Sequence, residues 1–379
     1  MSTRLEDRAR TDVLIVAANS RSLIANRGDL IRDMQGRGLS VAAAVPAVDY
    51  LEETADLGVD LHIIDMFRTT TNPLRDAAYF LTLHRLMRQL RPRAVFGYTA
   101  KPVIYGSVAA RLNGVPGRYA MITGLGHAYT TDSTRTRVVR TVMNTLYRFG
   151  IASCHRVFFQ NPDDVAQFES LRIVRDRSKV VRVNGSGVDT KRFARRPLPT
   201  GAPMFLFIGR LLTEKGIAEF VEAARLVKRD WPEARFVAVG PHDQNLPHSV
   251  LAEDIERWRN EGDVEFVGGV KDVRPWLEEC SVFVLPSYRE GTPRSVLEAM
   301  SIGRPVITTD APGCRETVTD GVNGFLVSPR QPAPLADAMR RFLAEPGLIP
   351  RFAERSRVIA EDKFEVGKVN DVILGAMGL

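Results

Sequence analysis

Short apolar runs alternate with longer amphipathic segments in the first half of the chain. An apolar run at residues 13–17 is followed by a polar stretch at residues 19–22, and a helical pattern then covers residues 24–35. Further strand-like runs lie at residues 41–45, 61–64 and 94–97, with helical patterns near residue 51 and at residues 76–90 and 103–112. Apolar strands that alternate with amphipathic helices predict a parallel sheet covered on both faces.

The alternation stops at a proline-rich connector, residues 195–203, and then restarts. Strand-like runs follow at residues 204–208, 235–239, 264–267, 282–285 and 306–308, separated by helical patterns. The sequence therefore predicts an α/β fold with two doubly wound domains, residues 1–197 and 198–357, and a C-terminal helix at about residues 358–379 that packs back on the first domain. Two such domains create a cleft, and ligands bind outside the carboxyl ends of the strands in sheets of this kind.

The composition is that of a globular protein, with 44% hydrophobic and 26% charged residues, which excludes disordered and collagen-like chains. The three cysteines, Cys154, Cys280 and Cys314, lie far apart without metal-ligand spacing, so we expect a reducing compartment and no structural zinc. The N-terminus lacks an apolar signal segment, and no apolar stretch is long enough to cross a bilayer. We therefore expect a cytoplasmic protein, and attachment to the inner face of the cell membrane stays open.

Positive charge is concentrated in the first half of the chain. Residues 1–190 contain 26 Lys and Arg against 18 Asp and Glu, whereas the remaining residues contain 26 against 27. Only Lys101 and Lys179 of the first group are lysines, and guanidinium groups bind phosphate oxygens with two parallel hydrogen bonds. This asymmetry indicates an anionic partner, although a basic surface tuned for solubility explains it as well. No nucleic-acid recognition motif accompanies it, so we expect no nucleic acid.

The loop after residue 208 combines two cations with a helix start. Arg210 and Lys215 lie between the strand that ends at residue 208 and the helix that begins at Gly216. Two cations, free backbone amides and the positive end of a helix together favour an anion, and a diphosphate fits this arrangement. Pairing of Arg210 and Lys215 with surface carboxylates is the alternative. Because the sequence has no Asp-x-Asp motif, we expect these cations to replace a divalent metal, and we predict neither metal nor cofactor.

A second group of residues follows the strand at residues 282–285. Glu290 lies in the loop before a helix that begins near Pro293, and Glu298 lies in the second turn of that helix. Both carboxylates can reach one pocket, where groups that only accept hydrogen bonds bind sugar hydroxyls. Gly291 leaves space for a ligand to approach the backbone. For Glu298 alone, a position on the helix surface is the alternative.

These segments resemble the retaining glycosyltransferases of family 4, which have the GT-B fold of two Rossmann-like domains facing a cleft. The resemblance implies a nucleotide-sugar donor, for which we expect a UDP-sugar. It implies that Arg210 and Lys215 hold the diphosphate, Glu298 the ribose and Glu290 the transferred sugar. The segments that carry it are Gly209-Arg210, Glu214-Lys215-Gly216, Glu290-x7-Glu298, Gly303-Arg-Pro-Val-Ile, Gly313 with Glu316, and residues 320–327. The residues to which it assigns further donor contacts, largely through the main chain, are Gly209, Val267, Val270, Gly291, Thr292 and Pro293.

The first half resembles the acceptor domain of family members that assemble polysaccharides. Those members commonly read His-Ser-x-Lys where this chain reads Tyr98-Thr-Ala-Lys101. Their catalytic His-Gly pair corresponds here to Thr123-Gly124, with His127 three residues later. The resemblance therefore implies acceptor contacts for Lys101, Thr123 and Gly124. It leaves His127 as either a catalytic residue or a loop residue.

Arginines near the first strand and in two helical segments indicate an anionic acceptor. Asn19, Arg21 and Arg27 lie close to the end of that strand and are candidates to hold a phosphate, although Arg27 fits a surface helix position equally well. Residues 135–151 form either a core helix with an arginine edge or an interfacial helix. A further arginine cluster at residues 85–93 favours a lipid-linked pyrophosphate acceptor or an anionic membrane surface as partner.

The expected activity is the retaining transfer of a hexose or N-acetylhexosamine from a nucleotide sugar to a glycan on a polyprenyl-diphosphate carrier, in surface-polysaccharide assembly. The expected catalytic residues are Glu290, Arg210, Lys215 and His127. A UDP-sugar 2-epimerase on the same fold and a non-enzymatic anion-binding protein are the alternatives. A dehydrogenase is excluded, because the loop after the first strand contains no Gly-x-Gly-x-x-Gly motif.

Overall fold

The computed structural model describes residues 11–47, 51–66, 72–124, 134–244, 246 and 248–379. Contacts between these residues divide the chain into two compact units. The first unit contains the described residues up to Val183 together with Asn370–Leu379, and the second unit is Asn184–Val369. Each unit is built around one parallel sheet.

The first unit contains a sheet of seven parallel strands in the order β3-β2-β1-β4-β5-β6-β7. Its strands are β1 (Val13–Val16), β2 (Val41–Val45), β3 (Asp60–Ile63), β4 (Ala94–Tyr98), β5 (Gly117–Ile122), β6 (Arg156–Phe159) and β7 (Val180–Arg182). Its helices are α1 (Ser20–Gly36), α2 (Leu51–Ala55), α3 (Pro73–Leu90), α4 (Ser107–Leu112, preceded by a π-helical segment at Pro102–Gly106), α5 (Thr134–Ala152) and α6 (Pro162–Ser170). The strand order reverses between β1 and β4, and sheets of this type bind ligands at such a point.

The second unit repeats the same topology with six parallel strands in the order β10-β9-β8-β11-β12-β13. Its strands are β8 (Met204–Ile208), β9 (Arg235–Val239), β10 (Glu265–Gly268), β11 (Val282–Leu285), β12 (Val306–Thr309) and β13 (Gly324–Val327). Its helices are α7 (Ile217–Lys228), α8 (Ala252–Glu261), α9 (Arg274–Glu279), α10 (Arg294–Ile302), α11 (Pro332–Ala344), α12 (Leu348–Lys363) and the first residues of α13 (Val366–Met377). Here the order reverses between β8 and β11.

Burial on both faces explains why the central strands are continuously apolar. Every residue of β1 and of β8 is buried, because helices cover both faces of a doubly wound sheet. Asparagine side chains mark three helix starts: Asn19 caps α1, and Asn72 and Asn161 cap α3 and α6 immediately before a proline. The predicted fold class, two doubly wound α/β domains, is confirmed.

The two units differ in their limits from the domains predicted at residues 1–197 and 198–357. The backbone N–H of Val188 donates to the carbonyl of Phe364 at 2.8 Å, and Phe193 is buried in the core of the second unit. The segment before the proline-rich connector therefore packs on the second unit. At the C-terminus only residues from Asn370 onward join the first unit, where the Tyr119 hydroxyl donates to the carbonyl of Met377 at 2.6 Å.

Helix α5 exposes a different side from the arginine edge that its sequence pattern predicted. Asn144, which lies on the same helix edge as Arg140 and Arg148, is buried, whereas Val138 and Val142 are exposed. The reason is that the apolar band is wider than the face that packs: Tyr147 and Ile151 already fill the contact with the sheet and α6. No helix among the described residues is both long and apolar enough to cross a membrane.

Candidate functional site

The loops that follow β8 and β11 meet at the carboxyl edge of the second sheet. β8 and β11 are neighbours in the sheet, so their ends lie side by side. The backbone N–H of Tyr288 donates to the carbonyl of Glu214 at 2.9 Å, and the hydroxyl of Ser295 donates to the carbonyl of Ile208 at 3.0 Å. The first bond joins the loop that carries Lys215 to the loop that carries Glu290, and the second joins the first turn of α10 to the end of β8.

Lys215 and Glu290 form an ion pair across the two loops. The ammonium of Lys215 donates to Oε1 of Glu290, and the side chains are only 20% and 13% exposed. The pair brings together two of the predicted catalytic residues. The alternative was that Lys215 pairs with a carboxylate at the protein surface. The carboxylate of Glu290 is instead largely buried and belongs to the candidate site.

Arg210 and the start of α7 add further positive charge to this edge. The guanidinium of Arg210, which is partly exposed, makes no hydrogen bond or ion pair with the residues that the structure describes. Helix α7 begins after Gly216 without a capping side chain, so its first N–H groups remain available to an anion. One unpaired guanidinium and one free helix end form an electrostatic site for a negatively charged group.

Two glycines set the spacing of these loops through contacts that no larger residue could make. Gly216 has a positive φ of 74°, and a Cβ there would lie 2.2 Å from the carbonyl oxygen of Pro286. Gly313 has a φ of 81°, and a Cβ there would lie 2.1 Å from the carbonyl oxygen of Glu290. Since the N–H of Glu290 also donates to the carbonyl of Pro312 at 2.9 Å, the backbone of Glu290 is held from both sides.

Glu298 lies in α10, and its side chain is buried. The alternative interpretation, an exposed position on the helix surface, therefore does not describe it. Its side chain is 11% exposed and accepts a hydrogen bond from Nε of Arg294 at 2.8 Å. Burial raises the pKa of Glu298, and the charge of Arg294 partly opposes that effect. Glu290 and Glu298 thus have separate cationic partners.

The remaining donor candidates lie along the same edge of the sheet. Thr292 contacts the glycine-rich segment at residues 184–189, because a Cβ at Gly185 would lie 2.8 Å from the Cβ of Thr292. Val267 is the penultimate residue of β10 and Val270 lies two residues after that strand, and β9 separates β10 from β8. The positions that complete the loops beside Glu290 and Arg210 are Gly209, Gly291 and Pro293.

The acceptor candidates of the first unit lie at the carboxyl ends of three adjacent strands. Asn19 follows β1, Lys101 follows β4, and Thr123-Gly124 follows β5. The first turn of α1, which follows β1, is joined to the end of β4 by a hydrogen bond of 3.1 Å between the hydroxyls of Ser22 and Tyr98. Three neighbouring strand ends therefore bring these candidates to one edge of the first sheet. Arg21, at the start of α1, is exposed there.

Arg27 is a buried residue, so the alternative of a surface helix position is wrong. Its side chain is 1% exposed, its guanidinium contacts the sulfur of Met121, and it lies 5.1 Å from the ring centroid of Tyr98. The side chain reaches inward from α1 to Tyr98, the last residue of β4, and to Met121, the penultimate residue of the neighbouring strand β5. His127 lies outside the described residues.

Two partners of the site residues were missed by the sequence interpretation. Asp76 accepts a hydrogen bond from Nζ of Lys101 at 2.5 Å and another from the Tyr105 hydroxyl at 3.0 Å. Asp76 lies 25 positions before Lys101, and no local pattern connects the two. Arg294, by contrast, lies four positions before Glu298. Side chains at this spacing are neighbours on a helix, so the Arg294–Glu298 ion pair could have been predicted from the sequence.

Comparison with known families identifies the chain. Residues 202–345 match the family described as glycosyl transferases group 1, and residues 12–161 match the family described as glycosyl transferase 4-like. The chain is a family 4-type glycosyltransferase. The predicted family is thereby confirmed, and the protein is an enzyme of the hexosyltransferase type.

This glycosyltransferase resembles two curated bacterial enzymes over most of its length. It is 28% identical over 334 residues to the N,N'-diacetylbacillosaminyl-diphospho-undecaprenol alpha-1,3-N-acetylgalactosaminyltransferase of Campylobacter jejuni, with 84% of this chain and 86% of that enzyme covered. It is 27% identical over 308 residues to the UDP-Gal:alpha-D-GlcNAc-diphosphoundecaprenol alpha-1,3-galactosyltransferase of Escherichia coli, with 74% and 73% covered.

Solved structures show that this glycosyltransferase has the predicted GT-B fold. Anabaena HepE in complex with UDP superimposes with a TM-score of 0.77 at 17% identity, covering 97% of this chain and 100% of that one. The sucrose-phosphate synthase of Thermosynechococcus elongatus superimposes with a TM-score of 0.81 at 17% identity, covering 97% and 98%. At this identity the likeness concerns the fold.

Proposed function

We propose that this glycosyltransferase transfers a hexose or N-acetylhexosamine from a UDP-sugar to a saccharide on a polyprenyl-diphosphate carrier, with retention of anomeric configuration. The observation that carries the proposal is the Lys215–Glu290 pair at the carboxyl ends of β8 and β11. It unites a group that binds phosphate with a group that binds sugar hydroxyls. The names of the two curated relatives support the acceptor class, and the UDP bound to HepE supports the donor.

Arg210, Lys215 and the start of α7 hold the donor diphosphate. Cleavage of the glycosidic bond leaves negative charge on that diphosphate, and cations placed beforehand stabilise the charge as it develops. The ammonium of Lys215 turns from Glu290 toward the phosphate when the donor binds. The Glu290 carboxylate then accepts hydrogen bonds from the hydroxyls of the transferred sugar.

The other donor contacts follow the same edge of the sheet. Glu298, held by Arg294, accepts hydrogen bonds from the ribose hydroxyls. The main chain of Gly291, Thr292 and Pro293 faces the sugar and the phosphate, and the main chain at Val267 and Val270 holds the base. Gly209 leaves the backbone open beside the diphosphate.

The acceptor binds at the carboxyl edge of the first sheet. Asn19, Arg21 and Lys101 contact its diphosphate, while Thr123 and Gly124 contact the saccharide. Arg27 is too buried to contact the acceptor directly in the described structure, so we assign it to positioning Tyr98 beneath this edge. The catalytic role of His127 stays a prediction.

Nucleotide release from UDP-sugars and GDP-sugars, with and without a polyprenyl-diphosphate saccharide, tests this function. We expect release from one UDP-sugar that requires the acceptor, and an NMR spectrum of the product that shows the anomeric configuration of the donor. Release that ignores the acceptor and yields a free epimer would instead identify a 2-epimerase. Absence of release from every sugar nucleotide, although UDP binds, would favour the non-enzymatic alternative.

A further inference from the structure

An ion pair ties the segment that follows β4 to the first turn of α3. Nζ of Lys101 donates to Oδ1 of Asp76 at 2.5 Å, and the two side chains are only 14% and 15% exposed. Asp76 belongs to α3, which packs against both α4 and the π-helical segment at Pro102–Gly106. A residue 25 positions earlier in the chain therefore holds the ammonium of Lys101 at the carboxyl edge of the first sheet.

The carboxylate of Asp76 is itself fixed by a second donor. Its other oxygen, Oδ2, accepts a hydrogen bond from the Tyr105 hydroxyl at 3.0 Å. The ring of Tyr105 contacts the ring of Tyr79 edge-on, with centroids 6.1 Å apart. Burial and the charge of Asp76 raise the pKa of Tyr105, so the hydroxyl keeps its proton and continues to donate. Asp76 thus offers Lys101 an acceptor whose orientation is already set.

The backbone before Lys101 is held in an unusual conformation. Thr99, the first residue after β4, has a φ of 70°, in the left-handed region that a β-branched residue rarely adopts. Its carbonyl accepts a hydrogen bond from the N–H of Val103 at 3.0 Å, so the chain turns directly into the π-helical segment. The turn brings Lys101 and Tyr105 to the side where both reach Asp76. Strain of this kind concentrates at functional sites, because it is kept only where the surrounding contacts impose it.

We propose that Asp76 is a positioning residue, which holds the Lys101 ammonium ready for the acceptor diphosphate. The inference rests on the proposed function, because it takes Lys101 as a contact of that diphosphate. A lysine side chain has a flexible four-carbon stem, and ordering it on binding costs conformational entropy. Asp76 orders the stem before the acceptor binds, so less affinity is lost. Since the charge of Asp76 also opposes an anion, the sign of its effect on acceptor affinity separates positioning from mere charge compensation.

Steady-state kinetics with a water-soluble acceptor, geranyl-diphospho-N-acetylglucosamine, tests this role. At saturating UDP-sugar, Asp76→Ala should raise the acceptor KM at least about tenfold, the scale of one hydrogen bond to a charged group. It should leave kcat at saturating acceptor and the UDP affinity unchanged. Asp76→Asn, whose amide oxygen can still accept from Lys101, should raise the KM less. A merely structural role would reduce the amount of folded enzyme and hence the apparent kcat, but it would not change the KM.

A double-mutant cycle shows whether Asp76 acts through Lys101. The variant Asp76→Ala/Lys101→Met should have an acceptor KM no higher than that of Lys101→Met alone, because no ammonium is left to position. Effects that multiply would overturn the proposal, since Asp76 would then act on the acceptor by itself or through the fold. An unchanged or lowered KM in Asp76→Ala would overturn it as well. If Asp76→Ala does not fold, the same cycle with Asp76→Asn decides by the same criteria.

A matched control lies at the opposite edge of the same strands. Asp12 precedes β1 and pairs at 3.0 Å with Arg93, which precedes β4. Asp12→Ala removes an ion pair from the same sheet, so it should lower the free energy of unfolding, measured by circular dichroism, without changing the acceptor KM. A KM that rises as much in Asp12→Ala as in Asp76→Ala would overturn the proposal, because the loss of any ion pair in this sheet would then explain the effect.

Calorimetry of acceptor binding without the donor separates this proposal from the proposed function. Weaker binding of geranyl-diphospho-N-acetylglucosamine by Asp76→Ala, with no further loss in the Lys101→Met background, would support the positioning role even if the wild type transfers no sugar. The proposed function alone would then fail. Transfer by the wild type, together with an acceptor affinity that Asp76→Ala leaves unchanged, would refute the positioning role and leave the function standing.

Discussion

Replacing Lys215 by alanine should affect stability and turnover through two different partners. The variant removes the ammonium that compensates the charge of Glu290 in the unliganded protein. In the proposed mechanism it also removes a cation that stabilises the departing diphosphate. The two effects can be separated, because only the first disappears when Glu290 is neutralised as well.

The structure sets the size of the first effect. Breaking a fully buried ion pair costs about 3–5 kcal/mol, whereas an exposed pair contributes about 1 kcal/mol or less. The side chains of Lys215 and Glu290 are 20% and 13% exposed, which places this pair between those limits. We therefore expect Lys215→Ala to lower the free energy of unfolding by about 2 kcal/mol. Turnover should fall at least about a hundredfold, the scale for losing one group that stabilises a developing anion.

Tryptophan fluorescence during urea unfolding measures the stability of the second unit, which contains Lys215 and Glu290. The three tryptophans, Trp231, Trp258 and Trp276, all lie in the second unit, so their signal reports its unfolding alone. Lys215→Ala/Glu290→Gln should recover most of the lost stability and none of the turnover. Arg229→Ala, at an exposed position at the end of α7, is the control and should change neither quantity.

Two results would contradict this reasoning. Near-normal turnover of Lys215→Ala would remove Lys215 from the catalytic residues. Recovery of turnover in Lys215→Ala/Glu290→Gln would show that Lys215 serves only to neutralise Glu290, and the diphosphate would then need another cation.

Four further predictions concern the remaining parts of the site. Burial raises the pKa of Glu298 above its usual 4.5. The ionised carboxylate, which accepts hydrogen bonds from the ribose in the proposed mechanism, is therefore lost as the pH falls through that raised pKa. UDP affinity measured by calorimetry should fall in this pH range in the wild type and not in Glu298→Gln. For folding the sign is opposite: stability that is full below pH 4.5 decreases as the pH rises through the raised pKa, and Glu298→Gln should lack this decrease in urea unfolding. Gly313→Ala should lower the free energy of unfolding several times more than Gly262→Ala, for which we expect a loss of roughly 1 kcal/mol. Both glycines have a positive φ, but only at Gly313 would a Cβ meet a backbone carbonyl. Equal losses in the two variants would contradict this close contact. Lys101→Met should reduce transfer to the acceptor without changing UDP affinity, and Lys179→Met should leave transfer to a water-soluble acceptor unchanged; weaker UDP binding by Lys101→Met would place Lys101 elsewhere.

Features fixed by strand burial and strand order were predictable from the sequence. The continuous apolar runs of β1 and β8 arise because both faces of their sheets are covered, which also brings their following loops to the ligand edge. Arg210, Lys215 and Glu290 could therefore be assigned to one edge before any coordinates were known. The pairing of Lys215 with Glu290 could not, because a separation of 75 positions leaves no periodic signal.

Features decided by tertiary packing were not predictable in the same way. β7 has three residues and ends in an arginine, so its pattern is too short to identify a strand. Arg27 carries a charge that normally stays at the surface, yet Tyr98 and Met121 surround its guanidinium. For α5 the pattern defined an apolar band, and only the width of the packed face determines which part of that band remains exposed.

The backbone contacts of Glu290 explain how one loop can serve both states of the proposed reaction. If Lys215 alone held Glu290 in place, donor binding would release the loop at the moment when the sugar needs a fixed acceptor of hydrogen bonds. The N–H of Glu290 instead donates to Pro312, and its carbonyl oxygen lies where Gly313 leaves room for it. Lys215 can therefore exchange a carboxylate for a phosphate by side-chain rotation, while the position of the Glu290 carboxylate continues to be set by the main chain.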